Sequence, residues 1–157
     1  MKAIRQWLNR LFQREEMDGD GRCATYLVRW TLLKLWGGRG LYLHHFVGDD
    51  WSLDMHDHPK RFISIGLKGA YIEQVPGTVA GSVYPQPHVS TIYRAPWIRT
   101  FPATHVHRIC LISGQPCWTL VYVCKQQRRW GFWHAHRWIP WRTYVGSETA
   151  TRMKSCP

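Results

Sequence analysis

Hydrophobic and polar positions divide the chain into a short segment with helical spacing and a long region of β-type runs. At the amino terminus, apolar residues recur every three or four positions between arginines, which predicts a basic amphipathic helix over residues 2–15. Such a helix suits a membrane surface or a nucleic acid, but docking of its apolar stripe on the rest of the domain is the favoured interpretation.

From residue 25 onward, short runs rich in β-branched and aromatic residues are separated by Gly and Pro. The runs are 25–35, 41–47, 62–68, 70–75, 89–94, 105–112 and 117–124. Because no helical pattern lies between them, they predict an all-β antiparallel sandwich or barrel. We expect the barrel over about residues 25–125, an aromatic and basic segment at 126–144, and a polar, frayed tail at 145–157.

Composition is consistent with one globular domain spanning residues 1–157. Hydrophobic residues make up 45% of the chain and charged residues 20%, which excludes a disordered protein. The net charge of +11 is uneven, because residues 79–157 hold ten Lys or Arg and one acidic residue. This imbalance suggests an anionic partner.

Several features predict a protein without a membrane span or signal peptide. The uncharged stretch 109–124 has only 16 residues and is interrupted by Gly and Pro. Arginines interrupt the apolar positions at the amino terminus. The five cysteines form an odd set without a CxxC pair, so we expect reduced thiols and a cytoplasmic location.

The placement of the nine histidines is the most informative chemical feature. His56-Asp57-His58 puts two imidazoles on the same face of an extended chain, and His105-Val106-His107 repeats this spacing on a later predicted strand. Neutral imidazole is the commonest metal ligand, and three nitrogen ligands leave positions open for water or substrate. Two such pairs in an all-β chain therefore predict a metal site.

The residues around these pairs resemble the two motifs of the cupin superfamily. Run 56–69 has the HxH pair, spacer and glycine of the first motif, and run 102–107 is similar to the second motif. The resemblance covers about residues 25–125. It implies a jelly-roll barrel with a divalent metal inside, and it assigns the ligands as His56, His58 and His107.

The chain departs from the cupin pattern where most members carry a glutamate. Phe62 and Ile63 occupy those places, and Thr104 replaces the glycine of the second motif. A three-histidine site of this kind resembles the cysteine dioxygenase branch of the thiol dioxygenases, which implies ferrous iron and the addition of dioxygen to a thiol. Fe(II) is thus the favoured metal, with Zn, Ni and Cu left open. A wider pattern of tryptophans, with Tyr42-Leu43-His44, is similar to a group of small phage and bacterial cupins.

Polar residues near the motifs are candidates for substrate contacts. Arginines that suit a carboxylate or phosphate of a substrate are Arg61, Arg99 and Arg108. Candidate proton donors or acid–base groups are His105, Tyr93 and Tyr122, with Tyr71 also near the motifs. His105 has three open roles: metal ligand, partner of a ligand, or acid–base group. Of the adjacent His44 and His45, at most one faces the interior, and His44 is slightly favoured.

In the segment 126–144, arginines alternate with tryptophans, a pattern that single-stranded nucleic acids and nucleotides exploit. Packing of these rings against the barrel or the amino-terminal helix is the favoured alternative. Three functions thus stay open: a metal-dependent enzyme, with a non-haem iron dioxygenase favoured; a module that binds a nucleotide or other small anion without turnover; and a nucleic-acid binder that uses the aromatic and basic segment. A homodimer is also left open.

Overall fold

The computed structural model describes residues 2–18, 21, 23–77 and 88–153, and these residues are mostly β-strand. The helices are α1 (Lys2–Leu11), α2 (Trp141–Val145) and α3 (Glu148–Arg152). The strands are β1 (Gln13–Met17), β2 (Leu27–Leu35), β3 (Arg39–Phe46), β4 (Met55–His56), β5 (Lys60–Lys68), β6 (Ala70–Pro76), β7 (His88–Arg94), β8 (Trp97–Phe101), β9 (Arg108–Leu111), β10 (Cys117–Gln126), β11 (Gly131–His134) and β12 (Arg137–Pro140).

The strands form one large sheet and two small sheets. The large sheet has the order β1-β2-β3-β10-β5-β8, and the small sheets have the orders β12-β11-β4 and β7-β6-β9. Pairings between these strands are antiparallel. This confirms the predicted all-β class and the jelly-roll type of architecture.

The main core lies between the large sheet and the β7-β6-β9 sheet. Leu27 and Phe46 of the large sheet pack with Tyr71, Ile109 and Leu111 of the small sheet. Successive side chains of a strand point to opposite faces of the sheet. Alternate residues of β2 and β3 therefore face this core, and the residues between them face α1. The gap between the sheets that is not filled by this core forms the cavity described below.

The predicted helix over 2–15 is correct in its docking and wrong in its length. Leu8 of α1 is buried against Val28 and Trp30 on the outer face of the large sheet. The helix ends at Leu11, however, and β1 follows as an edge strand paired with β2. Arg14 and Glu15 make ion pairs with neighbouring side chains, so this polar stretch is stabilised as a strand.

The carboxyl-terminal region is more ordered than expected. The aromatic and basic segment forms the hairpin β11–β12 and helix α2. Within the expected polar tail, Ser147 caps α3 by accepting a hydrogen bond from the Ala150 amide, and Ala150 is fully buried. Residues 154–157 lie outside the described residues.

The cysteines correct one expectation. Cys110, Cys117 and Cys124 are free thiols, as predicted. Cys23 is disulfide-bonded, so the prediction of reduced thiols was wrong at this position. Cys156 lies outside the described residues.

No helix in the described part of the chain is long and apolar enough to span a bilayer.

Candidate metal centre

The backbone brings the two histidine pairs together through a single antiparallel bridge. His56 donates its amide hydrogen to the His107 carbonyl at 2.9 Å, and His107 donates to the His56 carbonyl at 3.0 Å. The His58 amide donates to the Ala103 carbonyl at 3.1 Å. Segments distant in sequence are thereby joined side by side, with three imidazoles on the cavity side.

The three rings of His56, His58 and His107 form a nearly equilateral triangle. Their centroids are separated by 5.2, 5.2 and 4.9 Å. The Nε2 atoms of His58 and His107 are 2.9 Å apart, and one ring nitrogen from each of the three histidines lies within 4.8 Å of the others. Two nitrogens bound to one ion at ~2.1 Å lie about 3.0–3.4 Å apart. The His58–His107 pair is close to this spacing, and with His56 it forms a candidate site for one metal ion.

Burial keeps two of these rings in the form that binds metals. Burial, with the nearby His107 and His105, lowers the pKa of His56 to about 3. Burial, with the nearby His107, His56 and His105, holds the pKa of His58 well below its usual range. Both rings are therefore neutral at pH 7, and a neutral ring nitrogen has the lone pair that a metal requires.

A carboxylate that the sequence analysis missed orients His107. Glu73 on β6 is 2% exposed and accepts a hydrogen bond from His107 Nδ1 at 2.7 Å. Since Nδ1 carries the proton, Nε2 of His107 keeps its lone pair and faces His58. The position of Glu73 had a signal in the sequence: it lies two residues after Tyr71, on the inward face of a predicted strand.

Two predicted site residues contact Glu73 instead of facing the three rings. His105 donates from Nε2 to Glu73 at 2.9 Å, and Arg99 donates to the same carboxylate at 2.6 Å. Burial opposes ionisation of Glu73, but the hydrogen bonds from His105, His107 and Arg99 outweigh it and hold the pKa of Glu73 well below its usual range. His105 therefore contacts the carboxylate that also binds His107, and Glu73, His105 and His107 form a second group whose candidate ligand atoms lie within 4.8 Å of one another. Arg99 is likewise committed to an internal ion pair.

Asp57, between His56 and His58, fastens this segment to the carboxyl-terminal hairpin. It is fully buried and accepts from the Gly131 amide at 2.8 Å and from the Trp138 indole at 3.0 Å. Arg128 completes the set with an ion pair at 2.9 Å. Because successive residues of an extended chain point to opposite sides, fixing Asp57 outward fixes both histidines inward.

The other predicted residues lie outside the cavity. Arg61 is exposed on β5, and Arg108 is buried but donates to the Ser52 carbonyl at 2.9 Å and to Gln74 at 3.1 Å. Tyr93 contacts the Arg99 guanidinium, 3.7 Å from its ring centroid. Tyr122 belongs to the outer face of β10, because its neighbours of opposite parity line the cavity. The structure does not bring these four residues to the three histidines.

The three histidines open onto a cavity of about 440 Å³ between the sheets. Most of its lining is aromatic or aliphatic. The cationic side chains on its wall are Arg29 and Lys60, which the sequence analysis did not single out, and His44 also faces it. The alternation of side chains along β2 and β3 could have predicted from the sequence that Arg29 and His44 face the cavity. A cavity of this size suits a small organic molecule.

Several aromatic side chains of the carboxyl-terminal segment stack on one another. Trp130 stacks on Trp141 at 5.6 Å, and Phe132 stacks on Tyr144 at 4.1 Å. Trp130 also contacts the His56 ring edge to face at 6.2 Å. These contacts favour the packing interpretation of the segment, since the stacked faces are engaged within the protein.

No protein-family model and no curated protein sequence matches this chain. Solved structures do match its fold. An uncharacterized conserved protein with a double-stranded β-helix domain from Klebsiella pneumoniae subsp. pneumoniae MGH 78578 is 11% identical, with 80% of this chain and 92% of that chain covered and a TM-score of 0.51. The cupin-2 domain Rru_A2000 from Rhodospirillum rubrum is 12% identical, with 74% and 72% covered and a TM-score of 0.54.

The Fe(II) form of HppE is 8% identical to this chain, with 72% of this chain and 56% of HppE covered and a TM-score of 0.53. Identities this low bear on fold alone. The chain has the cupin, or double-stranded β-helix, fold, as the resemblance of its motifs implied.

Proposed function

We propose that this protein is a metal-dependent enzyme in which His56, His58 and His107 hold a divalent metal and a small anionic or thiol-containing substrate occupies the cavity. The observation that carries the proposal is the convergence of three ring nitrogens at the wall of a largely apolar cavity. Three nitrogen ligands leave coordination positions open, as catalytic sites require and closed structural sites do not.

Each residue around the site has a defined task in this proposal. His56 and His58 supply neutral nitrogens because burial lowers the pKa of both. Glu73 accepts the Nδ1 proton of His107 and keeps its Nε2 available. His105 and Arg99 hold Glu73 in place. The aromatic walls exclude bulk water, which strengthens electrostatic interactions inside.

Fe(II) is the metal that we favour, and dioxygenation is the reaction. The Fe(II) form of HppE has the same fold, and imidazole ligands suit iron. A ferrous ion held by His56, His58 and His107 would supply the addition of both atoms of dioxygen to a thiol or similar electron-rich group, with the substrate providing the electrons.

Metal analysis of the tag-free full-length protein tests the proposal. We expect a stoichiometric metal after purification or after anaerobic loading with Fe(II), and loss of that metal in His107→Ala and His58→Ala. His136→Ala is the matched control, because His136 is exposed on the β11–β12 turn. Well-folded protein that takes up neither Fe(II) nor Zn, Ni or Cu would contradict the metal site.

Oxygen consumption then separates catalysis from binding. We expect uptake in the presence of small thiols, including thiols that carry a carboxylate, by the Fe(II)-loaded protein and none by His107→Ala. If the ligand is recovered unchanged from a metal-loaded complex and no oxygen is consumed, the protein is instead a module that binds a small anion without turnover.

A further inference from the structure

A row of polar side chains crosses the inner face of the large sheet. Arg29 on β2 lies opposite His44 on β3, and His44 lies opposite Thr119 on β10. All three line the cavity that also contains the three histidines. Leu27, Phe46 and Val121 lie next to them on the same strand faces, so the row is a polar strip flanked by apolar side chains. Other polar residues of the cavity wall, besides the three histidines, include Asp50, Ser64 and Lys60.

Two atoms of this strip are buried without a hydrogen-bond partner among the described residues. They are Nε2 of His44 and Oγ1 of Thr119, and Thr119 is 1% exposed. A buried polar atom without a partner destabilises a fold, so native proteins contain few of them. Other such atoms, on Thr31, Trp97 and Trp133, lie away from the cavity, whereas His44 and Thr119 line it beside a guanidinium, where a ligand group can reach them.

The donors of the strip match an oxyanion. Burial, together with the nearby Arg29 charge, lowers the pKa of His44 to about 3, so His44 is a neutral ring that can donate one N–H. Thr119 can donate its hydroxyl hydrogen. Arg29 donates from Nε to Glu15 at 3.1 Å and from Nη2 to the same carboxylate, which leaves Nη1 for a ligand. A carboxylate accepts several such bonds, whereas Arg29 disfavours a cation.

The remaining lining describes the body of the ligand. Aromatic and aliphatic side chains form most of the wall: Leu27, Phe46, Phe62, Phe101, Ile109 and Val121. A strongly hydrated, many-charged ligand such as a nucleotide would leave its polar groups without partners there. A single carboxylate on an apolar body satisfies both the strip and the wall.

We propose that Arg29, His44 and Thr119 anchor the carboxylate of a small substrate with an apolar body, whose other end then lies toward the three histidines. The assignment of that other end as the reacting end rests on the proposed function. The anchor itself requires only the strip and the cavity.

Isothermal titration of the full-length protein with phenylacetate, compared with its neutral analogue 2-phenylethanol, tests the anchor. We expect phenylacetate to bind both metal-loaded and chelator-treated protein, and 2-phenylethanol to bind at least about tenfold more weakly, because a charge-assisted hydrogen bond is lost. Arg29→Gln should weaken phenylacetate binding by about ten- to a hundredfold. Glu15→Gln should strengthen it, since Arg29 is then free of its competing carboxylate.

Thr119→Val separates a binding role from a structural one. Valine has nearly the same shape and removes an unpartnered hydroxyl, so the fold should become slightly more stable while phenylacetate binds more weakly. Arg94→Gln is the control for charge, because Arg94 is exposed on β7 and does not line the cavity.

Three results would overturn the anchor. The first is no phenylacetate binding at millimolar concentration, and the second is equal weakening of binding by Arg94→Gln and Arg29→Gln. The third is phenylacetate binding that is lost when the metal is removed and is unchanged in Arg29→Gln. The last result would mean that the carboxylate coordinates the metal. If instead no metal binds but phenylacetate still depends on Arg29, the proposed enzyme fails and the anchor stands.

Discussion

Glu73 is the residue on which His105, His107 and Arg99 converge. The buried carboxylate accepts hydrogen bonds from all three and thereby ties His105 and Arg99 to His107. A cupin glutamate is missing at Phe62 and Ile63, and Glu73 contacts a ligand histidine from another strand. Its role in the proposed site is to position His107.

Replacement of Glu73 by Gln should weaken metal affinity by about 10- to 100-fold, the usual cost of losing a partner of a ligand histidine. The amide no longer imposes the Nδ1–H form of His107. Competition with a chromophoric chelator measures the affinity. Glu16→Gln on the exposed edge strand is the control, and equal affinity in folded Glu73→Gln and Glu16→Gln proteins would refute the positioning role.

His44 should make the metal-free protein sensitive to acid. Burial lowers its pKa in the folded state to about 3, against the ordinary histidine value of 6.5 in an unfolded chain. Between these values the unfolded chain binds a proton that the folded chain does not, so the unfolding free energy falls as pH drops through this window. The slope contributed by one such group reaches about 1.4 kcal/mol per pH unit.

Urea unfolding of the chelator-treated protein between pH 7 and pH 4 measures this effect. The variant His44→Phe lacks the titrating ring and should lose less stability than the wild type across the window. If the unfolding free energies of the two proteins change equally between pH 7 and pH 4, His44 does not titrate in this way.

At the scale of elements, the short strand β4 is held by the hairpin β11–β12. β11 pairs with β4, while Asp57 accepts hydrogen bonds from the Gly131 amide and the Trp138 indole. The carboxyl-terminal segment is therefore a support for the histidine pair. Its basic and aromatic composition is explained in part by these contacts and by ring stacking.

Arg128 and Arg129 provide a matched test of this support. Arg128 forms an ion pair with the buried Asp57, whereas Arg129 is exposed. Arg128→Gln should lower the unfolding free energy by about 1–3 kcal/mol, because a buried carboxylate loses its counter-charge. Arg129→Gln should change it by less than about 0.5 kcal/mol. Equal losses of unfolding free energy in the two variants, measured by urea unfolding, would argue against this supporting role of Arg128.

At the scale of the whole molecule, the proposed ligands come from segments about fifty residues apart. An unfolded chain does not hold them together, so a metal that binds the folded site should stabilise the fold. At a free metal concentration about 100 times Kd, the unfolding free energy should rise by about 2.7 kcal/mol.

Thermal unfolding with and without Fe(II) or Zn checks this linkage under anaerobic conditions. His136→Ala should keep the full metal-dependent increase, and His107→Ala should lose it. An increase of the same size in both variants would place the bound metal elsewhere on the molecule.

Strand periodicity and histidine spacing were local signals, and they predicted the β class, most of the inner strands and the three rings that converge. Period-two patterning persists through β5 and β10 because each has one face toward the interior. The strands that were missed are the edge strands β1 and β8, the two-residue β4 and the hairpin β11–β12. An exposed edge tolerates polar residues, and strands of two to four residues are too short to show a period.

The sequence by itself determined which side chains share a strand face, because that depends only on the alternation of the backbone. Tertiary structure decided which faces meet: it joined Glu73 to His107, turned Arg99 to Glu73, and put Arg29, His44 and Thr119 in one row. Those contacts depend on strand order and register, which arise from packing between distant segments and are encoded in no local pattern.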